Sequence, residues 1–584
     1  MFAVTFGVFV PGFDTNDDAI MSMIASGVGF GLKPDEHLIF SNVLIGQVLK
    51  TMYTWLPSVP WYGCYLVALQ ALANVIMVYC TVRRGYSRPR IRCYLIYFFV
   101  AGLYFLNNLQ FTTTAFMVGQ SGALLSLLSL QRYAQGERSW RIGLTLCLAA
   151  PLMILGGLIR FESLMLLLVL LMPVWAFFIY VRPLRRQNFL RVAALASIVI
   201  FVSLACKSYN TAYYEADPAW RDFYSYNRLR VNFNDLRLVR YSEESKTAFD
   251  SVGWSKNDAG MIYEWYYDDE QRYSAANLTA ILEGYNWARE RISPANVVDG
   301  LYITLQQPKC WILLMAYPFL LYYVDRRHFN LQLLTGVSVL AWTVIAGLIM
   351  FEKLPPDRVW LPALGFPFAV GLLLTNKQSE YASKLNMCWT LITCPAERAS
   401  ERKYYTIYPF RIFIALLALN TMFCLWNANY SQHRRSRARV RQHKTMDALL
   451  ASPHVGKDKL IVGWANSLPY EGVRIFASAN SIRHLHLLVL GWPQRTPLHQ
   501  AIKDRFGIDD LARSLYQRKD IFLVAEPGYQ KMLADYIQEH YQAEIGYLEC
   551  PKVSNLNIVQ GVRLERAEDS KQFRMAAPPK SKPQ

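Results

Sequence analysis

The chain has 584 residues, of which 53% are hydrophobic and 14% aromatic, and its mean hydropathy is +0.13. Soluble globular proteins rarely combine these values, so the composition excludes an ordinary soluble domain and predicts a lipid bilayer as the main solvent. The formal net charge of +18 would suit a nucleic-acid partner in a soluble protein. Here the basic residues fall largely in loops between apolar runs, so we expect them to set membrane orientation and expect no nucleic-acid partner.

Eleven apolar runs approach the width of a bilayer, which predicts about eleven transmembrane helices over residues 1–427. In chain order they are 1–13, 62–82, 93–108, 112–130, 142–159, 163–181, 192–207, 310–324, 332–351, 358–375 and 409–427. The first run lacks a basic n-region and a small-residue cleavage site, so we interpret it as a membrane helix, short or truncated at its start. The predicted fold class is an α-helical polytopic membrane protein.

Lysines and arginines predict the orientation of these helices, because they cluster in the loops after every second one. The clusters lie within 83–92, 132–141, 182–191, 326–327 and 377–403. The positive-inside rule then places the N-terminus in the cytoplasm and three larger segments outside, namely 14–61, 208–309 and the chain after about 428. The arginine run within 434–441 disagrees, and an error of one helix would move the C-terminal part to the cytoplasm.

Two segments outside the apolar runs carry their own periodicity. Phe40, Leu44, Val48 and Met52 recur at every fourth position of the first loop, which predicts a helix lying in the membrane interface. After residue 428, apolar runs alternate with helical patterns, and this alternation predicts a small α/β domain over 428–566. The apolar runs are 459–464, 521–525, 544–548 and 557–563, and the helical patterns are 498–517 and 528–541. Residues 567–584 have a composition typical of disorder.

Six ionisable groups crowd the first loop, directly after the first apolar run. They are Asp14, Asp17, Asp18, Asp35, Glu36 and His37. Paired carboxylates near low dielectric perturb each other's pKa, and one of them can then accept a proton from a hydroxyl or bind a divalent cation. The alternative is a solvated loop whose aspartates cap the following helix.

Two arginines at the predicted outer ends of membrane helices are candidates for binding substrate or lipid phosphate. Arg358 follows Asp357 at the mouth of one helix, and its guanidinium could hold a phosphate through two parallel hydrogen bonds. Arg160 and Glu162 flank Phe161 at the end of another helix. The alternatives are an interfacial anchor for Arg358 and a structural ion pair between Arg160 and Glu162.

The stretch 208–309 is rich in Tyr and Trp with interleaved acids, as in the segment 263–270. Aromatic rings stack on the C–H faces of sugars while carboxylates accept from hydroxyls, so this composition suits a carbohydrate, although interfacial aromatic belts look similar. The sequence contains no phosphate-cradling glycine loop, no GxSxG and no HExxH, which argues against a nucleotide-driven pump or a common hydrolase. Its ten cysteines include no CxxC pair, so they predict no metal site.

Three short motifs stand out in and around the first loop. They are Gly12-Phe-Asp-Thr-Asn-Asp17-Asp18, Pro34-Asp-Glu-His37 with Asn42, and Trp61-Tyr-Gly63. Together with the helix pattern of 1–427, they resemble bacterial polytopic glycosyltransferases of the GT-C type, the protein O-mannosyltransferase-like membrane fold. The resemblance implies a polyprenyl-phosphate-linked sugar donor, action outside the cytoplasmic membrane, and a first-loop acid that serves as base or metal ligand. That role falls on Asp17 or Asp18, in an Asp-Asp pair where the best-known members have Asp-Glu.

On this basis we expect an inverting transferase in the inner membrane that moves a sugar from a polyprenyl-phosphate donor to a lipid, glycan or protein hydroxyl. Asp17 or Asp18 would deprotonate the acceptor, and Arg358 would stabilise the departing phosphate. Further candidates for contacts with substrate or lipid are Arg160, His37, Asp35 and Glu36. A divalent cation at the first-loop acids stays open, and no other metal site is predicted.

Two other functions remain open for the same residues. An O-antigen polymerase or ligase would favour catalytic Arg and His over the first-loop acids. A lipid or glycan transporter would use the same charges to line a path through the membrane, without making a bond.

Overall fold

The computed structural model describes residues 2–83, 97–134, 139–180, 185–285, 294–307, 328–351, 355–374, 404–551 and 553–564, with a few single positions between these ranges. Contacts divide the chain into two compact units. Unit 1 comprises Met1–Pro11, Tyr65–Lys207 and Ile292–Arg437, and unit 2 comprises Gly12–Cys64, Ser208–Arg291 and Ala438–Gln584. The sequence-based division at 428 follows chain order, whereas these contacts join the first loop and 208–291 to the C-terminal part.

The chain is mostly helical, and seven of its described helices are long and apolar enough to cross a membrane. They are Trp61–Val82, Phe111–Ala134, Trp140–Ile159, Phe161–Tyr180, Arg185–Glu215, His328–Phe351 and Asp357–Leu374. Each overlaps a predicted apolar run, because a run of about 20 apolar residues satisfies its backbone in lipid by forming a helix. The prediction of a mostly helical chain with long apolar helices is confirmed, and the number of about eleven transmembrane helices stays a prediction.

The remaining described α-helices are shorter or less apolar. They are Phe2–Val8, Asn16–Ser26, Val43–Trp55, Leu103–Asn107, Pro218–Arg230, Lys246–Asp250, Lys256–Tyr263, Ala275–Gly284, Pro294–Gln306, Tyr404–Leu450, Pro497–Arg505, Leu511–Gln517 and Pro527–Tyr541, with a π-helical turn at Phe98–Gly102. The first predicted run is helical over only seven residues, Phe2–Val8. The predicted run 409–427 lies inside a helix of 47 residues, Tyr404–Leu450.

Seven strands are described, five of which form one sheet in unit 2. They are β1 (Gly12–Phe13), β2 (Asn108–Leu109), β3 (Leu460–Trp464), β4 (Leu487–Leu490), β5 (Ile521–Val524), β6 (Ile545–Glu549) and β7 (Ile558–Arg563). The sheet has the order β4-β3-β5-β7-β6, in which β3 pairs in parallel with β4 and β5, and β7 pairs antiparallel with β5 and β6. All five residues of β3 are buried, which explains why this strand is a continuous apolar run in the sequence.

The predicted first-loop helix is present over Val43–Trp55. It begins after Asn42, whose side chain accepts a hydrogen bond from the backbone N–H of Leu44 at 3.1 Å and so caps the helix. One face is buried, through Val43, Gly46, Leu49 and Tyr53. Val48 and Trp55 are 58% and 78% exposed, and apolar side chains exposed in this way suit an interfacial position, which itself stays a prediction.

Some sequence-based predictions concern residues outside the described ranges. They include most of the run 310–324, the basic residues within 84–92, 326–327 and 377–403, Arg138, Arg182 and Lys353, and the tail 567–584. The orientation of the helices depends on these loops, so it stays a prediction.

Candidate active site

The predicted catalytic acids lie at the start of the helix Asn16–Ser26 in unit 2. Its N-cap residue is Thr15, so neither acid caps the helix, and both lie in the first turn, where the helix dipole favours negative charge. Asp18 is fully buried. Its carboxylate accepts hydrogen bonds from the hydroxyls of Thr15 at 3.0 Å and Tyr62 at 3.1 Å. These two hydrogen bonds hold the carboxylate of Asp18 in place inside the protein.

Asp17 is half-buried and lies in an acidic group with Asp14 and Glu471. Glu471 comes from the turn Tyr470–Gly472, which packs against the helix that carries Asp17. Burial and the negative charges of Asp17 and Asp14 raise the pKa of Glu471, and the nearby Arg439 offsets only part of this increase. A carboxyl group that retains its proton more readily, beside a second acid, is suited to general acid–base chemistry.

One face of the helix Tyr404–Leu450 packs behind this acidic group. Arg439 is buried, and a Cβ added to Gly12 would lie 2.7 Å from its Cδ. One turn further, Nδ1 of His443 donates a hydrogen bond to the carbonyl oxygen of Gly472 at 2.8 Å. Residues four apart share one helix face, so both side chains point to the same side. A side chain at position 12 would therefore force the side chain of Arg439 to shift.

Asp35, Glu36 and His37 form a second group in the first loop. Oδ1 of Asp35 lies 2.7 Å from Nδ1 of His37 and accepts from the backbone N–H of His37 at 2.9 Å. Glu36 is buried, and its two oxygens accept from Nζ of Lys50 at 2.5 Å and from the hydroxyl of Tyr213 at 2.7 Å. The ring of His37 stacks on Trp220 with centroids 4.5 Å apart.

These hydrogen bonds lower the pKa of both carboxyls. Burial acts to raise the pKa of Asp35, but the bonds and charge of His37 outweigh it. Burial likewise acts to raise the pKa of Glu36, and the bonds from Lys50 and Tyr213 prevail. The ligand atoms of the three residues lie within 4.8 Å of one another, near enough for a divalent cation. Because Glu36 already bonds to two donors, the group fits a structural network better than a metal site.

Arg160 forms the ion pair that its sequence neighbourhood suggests. It follows the helix Trp140–Ile159, and Glu162 lies in the first turn of the next helix. Nε of Arg160 is 2.8 Å from Oε2 of Glu162, and the guanidinium carbon is 5.5 Å from the ring centroid of Phe111. These contacts hold Arg160 at the junction of two helices of unit 1.

Arg358 is half-buried in the first turn of the helix Asp357–Leu374 in unit 1. The neighbouring Asp357 lies 3.6 Å from Nη2 of Arg435. Nη1 of Arg435 donates to the hydroxyl of Tyr104 at 3.1 Å and to Oδ1 of Asn108 at 3.4 Å. Tyr104 and Asn108 are buried and therefore fix Arg435 beside the start of this helix. Two guanidinium groups at one helix end are suited to binding a phosphate.

No protein-family model, no curated protein and no solved structure matches the chain. The resemblance to GT-C type glycosyltransferases therefore rests on the short motifs of the membrane part and stays a prediction.

Sequence reasoning missed three residues that the structure adds, namely Glu471, Arg439 and Arg435. The interpretation of 434–441 as an orientation signal overlooks that 435, 439 and 443 recur at every fourth position, the spacing of one helix face. Glu471 gives no such signal, because a single acid in a polar stretch does not reveal a partner far away in the chain.

Proposed function

We propose that the chain is a membrane glycosyltransferase of the GT-C type that transfers a sugar from a polyprenyl-phosphate-linked donor to a lipid, glycan or protein hydroxyl. The proposal includes about eleven helices in the inner membrane, with the first loop and a C-terminal α/β domain on the outer side. The acceptor oxygen loses its proton and bonds to the anomeric carbon from the opposite face, while the bond to the lipid phosphate breaks.

The observation that carries this proposal is the acidic group of Asp17 and Glu471. Asp18 is buried and bonded to two hydroxyls, so the proposal assigns the general base to Asp17. Glu471, whose pKa is raised by burial and by the negative charge of Asp17, is assigned to the same site as a second carboxyl. The first loop directly follows the helix Phe2–Val8, as the resemblance implies.

The proposal assigns the departing lipid phosphate to Arg358, with Arg435 as a second guanidinium in unit 1. A phosphate leaving group gains charge as its bond to the sugar breaks, and donors fixed in advance stabilise that charge more than mobile ones. The buried partners of Arg435 support such fixed placement. Arg358→Lys should therefore reduce turnover. The ammonium of Lys keeps the positive charge but cannot form the two parallel hydrogen bonds of a guanidinium.

Substitution of Asp17 by Asn tests the base directly. Asn fits the first helical turn but does not take up a proton at neutral pH, so turnover should fall by about 10²- to 10⁴-fold with little change in melting temperature. Glu471→Gln should also reduce turnover, whereas Asp18→Asn should mainly lower the melting temperature, because a buried, bonded carboxylate is replaced. The measurement is sugar transfer from a panel of polyprenyl-phosphate donors by the purified chain in nanodiscs.

Asp222→Asn is the matched control, because Asp222 is an exposed acid of the same unit. Full activity of both Asp17→Asn and Glu471→Gln would remove the base assignment. Loss of turnover in His37 or Arg358 variants alone would favour the polymerase or ligase chemistry. No turnover by the unmodified chain with any donor, together with movement of a lipid-linked glycan across proteoliposomes, would favour a transporter.

A further inference from the structure

A cleft of about 810 Å³ opens within unit 2, in the range of small-ligand sites. Its floor is the loop 266–272, and its walls come from residues in and next to the helices Pro497–Arg505, Leu511–Gln517 and Pro527–Tyr541. Neither the predicted site residues nor Glu471 line this cleft. The cleft therefore contains a second concentration of polar groups, which the proposed transfer reaction does not use.

The polar groups on the floor are held in place by hydrogen bonds. Oδ2 of Asp269 accepts from the hydroxyl of Tyr536 at 2.6 Å, and Oδ1 accepts from the backbone N–H of Gln271 at 3.0 Å and of Arg272 at 2.9 Å. Arg272 in turn donates to the carbonyl of Gly253 at 2.7 Å and contacts Nδ1 of His540 at 3.0 Å. Each carboxylate oxygen has more than one acceptor position, so a fixed Asp269 can still accept from a ligand. Groups fixed in this way lose little entropy on binding.

The charge balance of the cleft differs from that of the whole chain. The chain has a net charge of +18, but the cleft is lined by five carboxyl groups and three cationic side chains. The carboxyls are Asp268, Asp269, Glu270, Asp509 and Asp510, and the cations are Arg272, Lys503 and Arg513. Lys503 and Asp268 are both buried and pair with each other at 2.9 Å, which leaves the acids in excess. Such a lining disfavours phosphates and acidic sugars.

The accessible part of the lining combines acceptors, donors and an aromatic ring. Asp509 and Arg513 are exposed, and Tyr541 is half-buried. The guanidinium carbon of Arg513 lies 5.8 Å from the ring centroid of Tyr541. A sugar hydroxyl both donates and accepts, so it needs this mixture, and an aromatic ring can cover a C–H face of the sugar.

We propose that this cleft binds a neutral oligosaccharide chain. Its hydroxyls donate to Asp269 and Asp509 and accept from Arg272 and Arg513, and one sugar ring packs against Tyr541. This site is an addition to the transfer chemistry and does not rest on the proposed function.

Binding of defined oligosaccharides to the full chain in nanodiscs tests this site, with no sugar donor present. The probes are hexasaccharides of glucose, mannose and N-acetylglucosamine, with hexagalacturonate as the acidic comparison, measured by saturation-transfer NMR and calorimetry. At least one neutral hexasaccharide should bind saturably and more tightly than hexagalacturonate. Asp509→Ala, Arg513→Ala and Tyr541→Ala should each weaken it by about five- to tenfold, the range expected for loss of one or two contacts.

Lys531→Ala is the control, because Lys531 is exposed on the helix Pro527–Tyr541 and does not line the cleft. The proposal is overturned if no neutral hexasaccharide binds, if hexagalacturonate binds more tightly, or if the cleft variants bind like the Lys531 variant. Because binding needs no donor, these outcomes are independent of turnover. A chain that binds glycan without transferring sugar would contradict the proposed function and leave this site intact.

Discussion

The helices of unit 1 expose large apolar side chains, whereas the sheet of unit 2 buries them. Phe201 is 75% exposed and Val339 is 59% exposed on helices of unit 1. In unit 2, every residue of β3 and β4 is buried. Large apolar side chains exposed on long apolar helices are stabilised by an apolar solvent, whereas fully buried apolar strands are what the hydrophobic effect produces in water. The difference indicates that lipid is the solvent of unit 1 and that unit 2 has a core of the water-soluble type.

Buried polar groups also differ between the units, because those described in unit 1 are neutral except for Arg132. In the wholly buried segment of the helix Phe111–Ala134, the hydroxyls of Ser121 and Ser126 donate to carbonyls of their own helix at 2.7 Å. In unit 2, buried polar groups include ionisable ones, such as the pair of Asp268 and Lys503. Neutral hydroxyls satisfied within a helix do not titrate, but buried ionisable groups do. A change of pH should therefore affect unit 2 more than unit 1.

The largest expected effect is acid sensitivity of unit 2 through His499. Burial lowers the pKa of His499 from 6.5 to about 4. Between these two values the unfolded chain binds a proton that the folded chain does not, so the free energy of unfolding falls as the pH decreases from about 6.5 to 4. At 1.36 kcal/mol for each pKa unit, the loss is about 3 kcal/mol. Proteolysis after incubation at pH 7.5, 6.0 and 4.5 should cut 460–563 before it cuts 111–134.

His499→Gln separates this effect from general acid damage. The variant has no group that titrates at this position, so its melting temperature should depend less steeply on pH than that of the unmodified chain. This holds whatever the melting temperature of the variant is at pH 7.5. Burial also lowers the pKa of His443, His454 and His486. The melting temperature of the His499 variant should therefore still depend on pH to some extent. His484→Gln, at an exposed position, is the control and should keep the full dependence. If the melting temperatures of the two variants depended equally on pH, the proposed contribution of His499 to acid sensitivity would be contradicted.

The sequence predicts the long helices well and the sheet less completely. A run of about 20 apolar residues leaves few structures other than a helix, so seven runs coincide with described helices. Strands β3, β5, β6 and β7 overlap predicted apolar runs, but β4 is missed, because His484 and His486 interrupt the apolar pattern before it. The predicted helix 498–517 is two helices, since Gly507 takes a left-handed conformation with φ of 59°.

The candidate site is less predictable, because it depends on contacts between distant segments. The acids of the first loop are visible in the sequence, and so is the possibility that Arg160 pairs with Glu162. The burial of Asp18 by Tyr62 and the approach of Glu471 to Asp17 depend on tertiary packing. No local pattern encodes such packing, so the sequence alone does not distinguish Asp17 from Asp18.

A smaller effect is expected where unit 2 brings two backbone segments together. A Cβ added to Gly46 would overlap the carbonyl oxygen of Glu36, and the backbone cannot move aside as a flexible side chain can. Gly46→Ala should therefore lower the free energy of unfolding by about 1–3 kcal/mol, the usual cost of overpacking. Gly528→Ala, with nothing within 4 Å of the added Cβ, is the control and should change it by less than about 0.5 kcal/mol. Equal melting temperatures of the two purified variants would refute the close approach.

The smallest expected effect distinguishes the inner and outer faces of the helices in unit 1. A Cβ added to Gly156 would lie 2.7 Å from the carbonyl oxygen of Ala115, because small residues let these two helices approach closely. A Cβ added to Gly336 would meet nothing within 4 Å. Gly156→Ala should destabilise the chain by about 1 kcal/mol.

Gly336→Ala should be neutral or slightly stabilising, by less than about 1 kcal/mol, because Ala has the higher helix propensity and the exposed face has no packed neighbour to displace. The measurement is the melting temperature of both variants in the same detergent. A loss with Gly336→Ala as large as that with Gly156→Ala would show that the exposed face packs against protein. The assignment of lipid as its solvent would then fail.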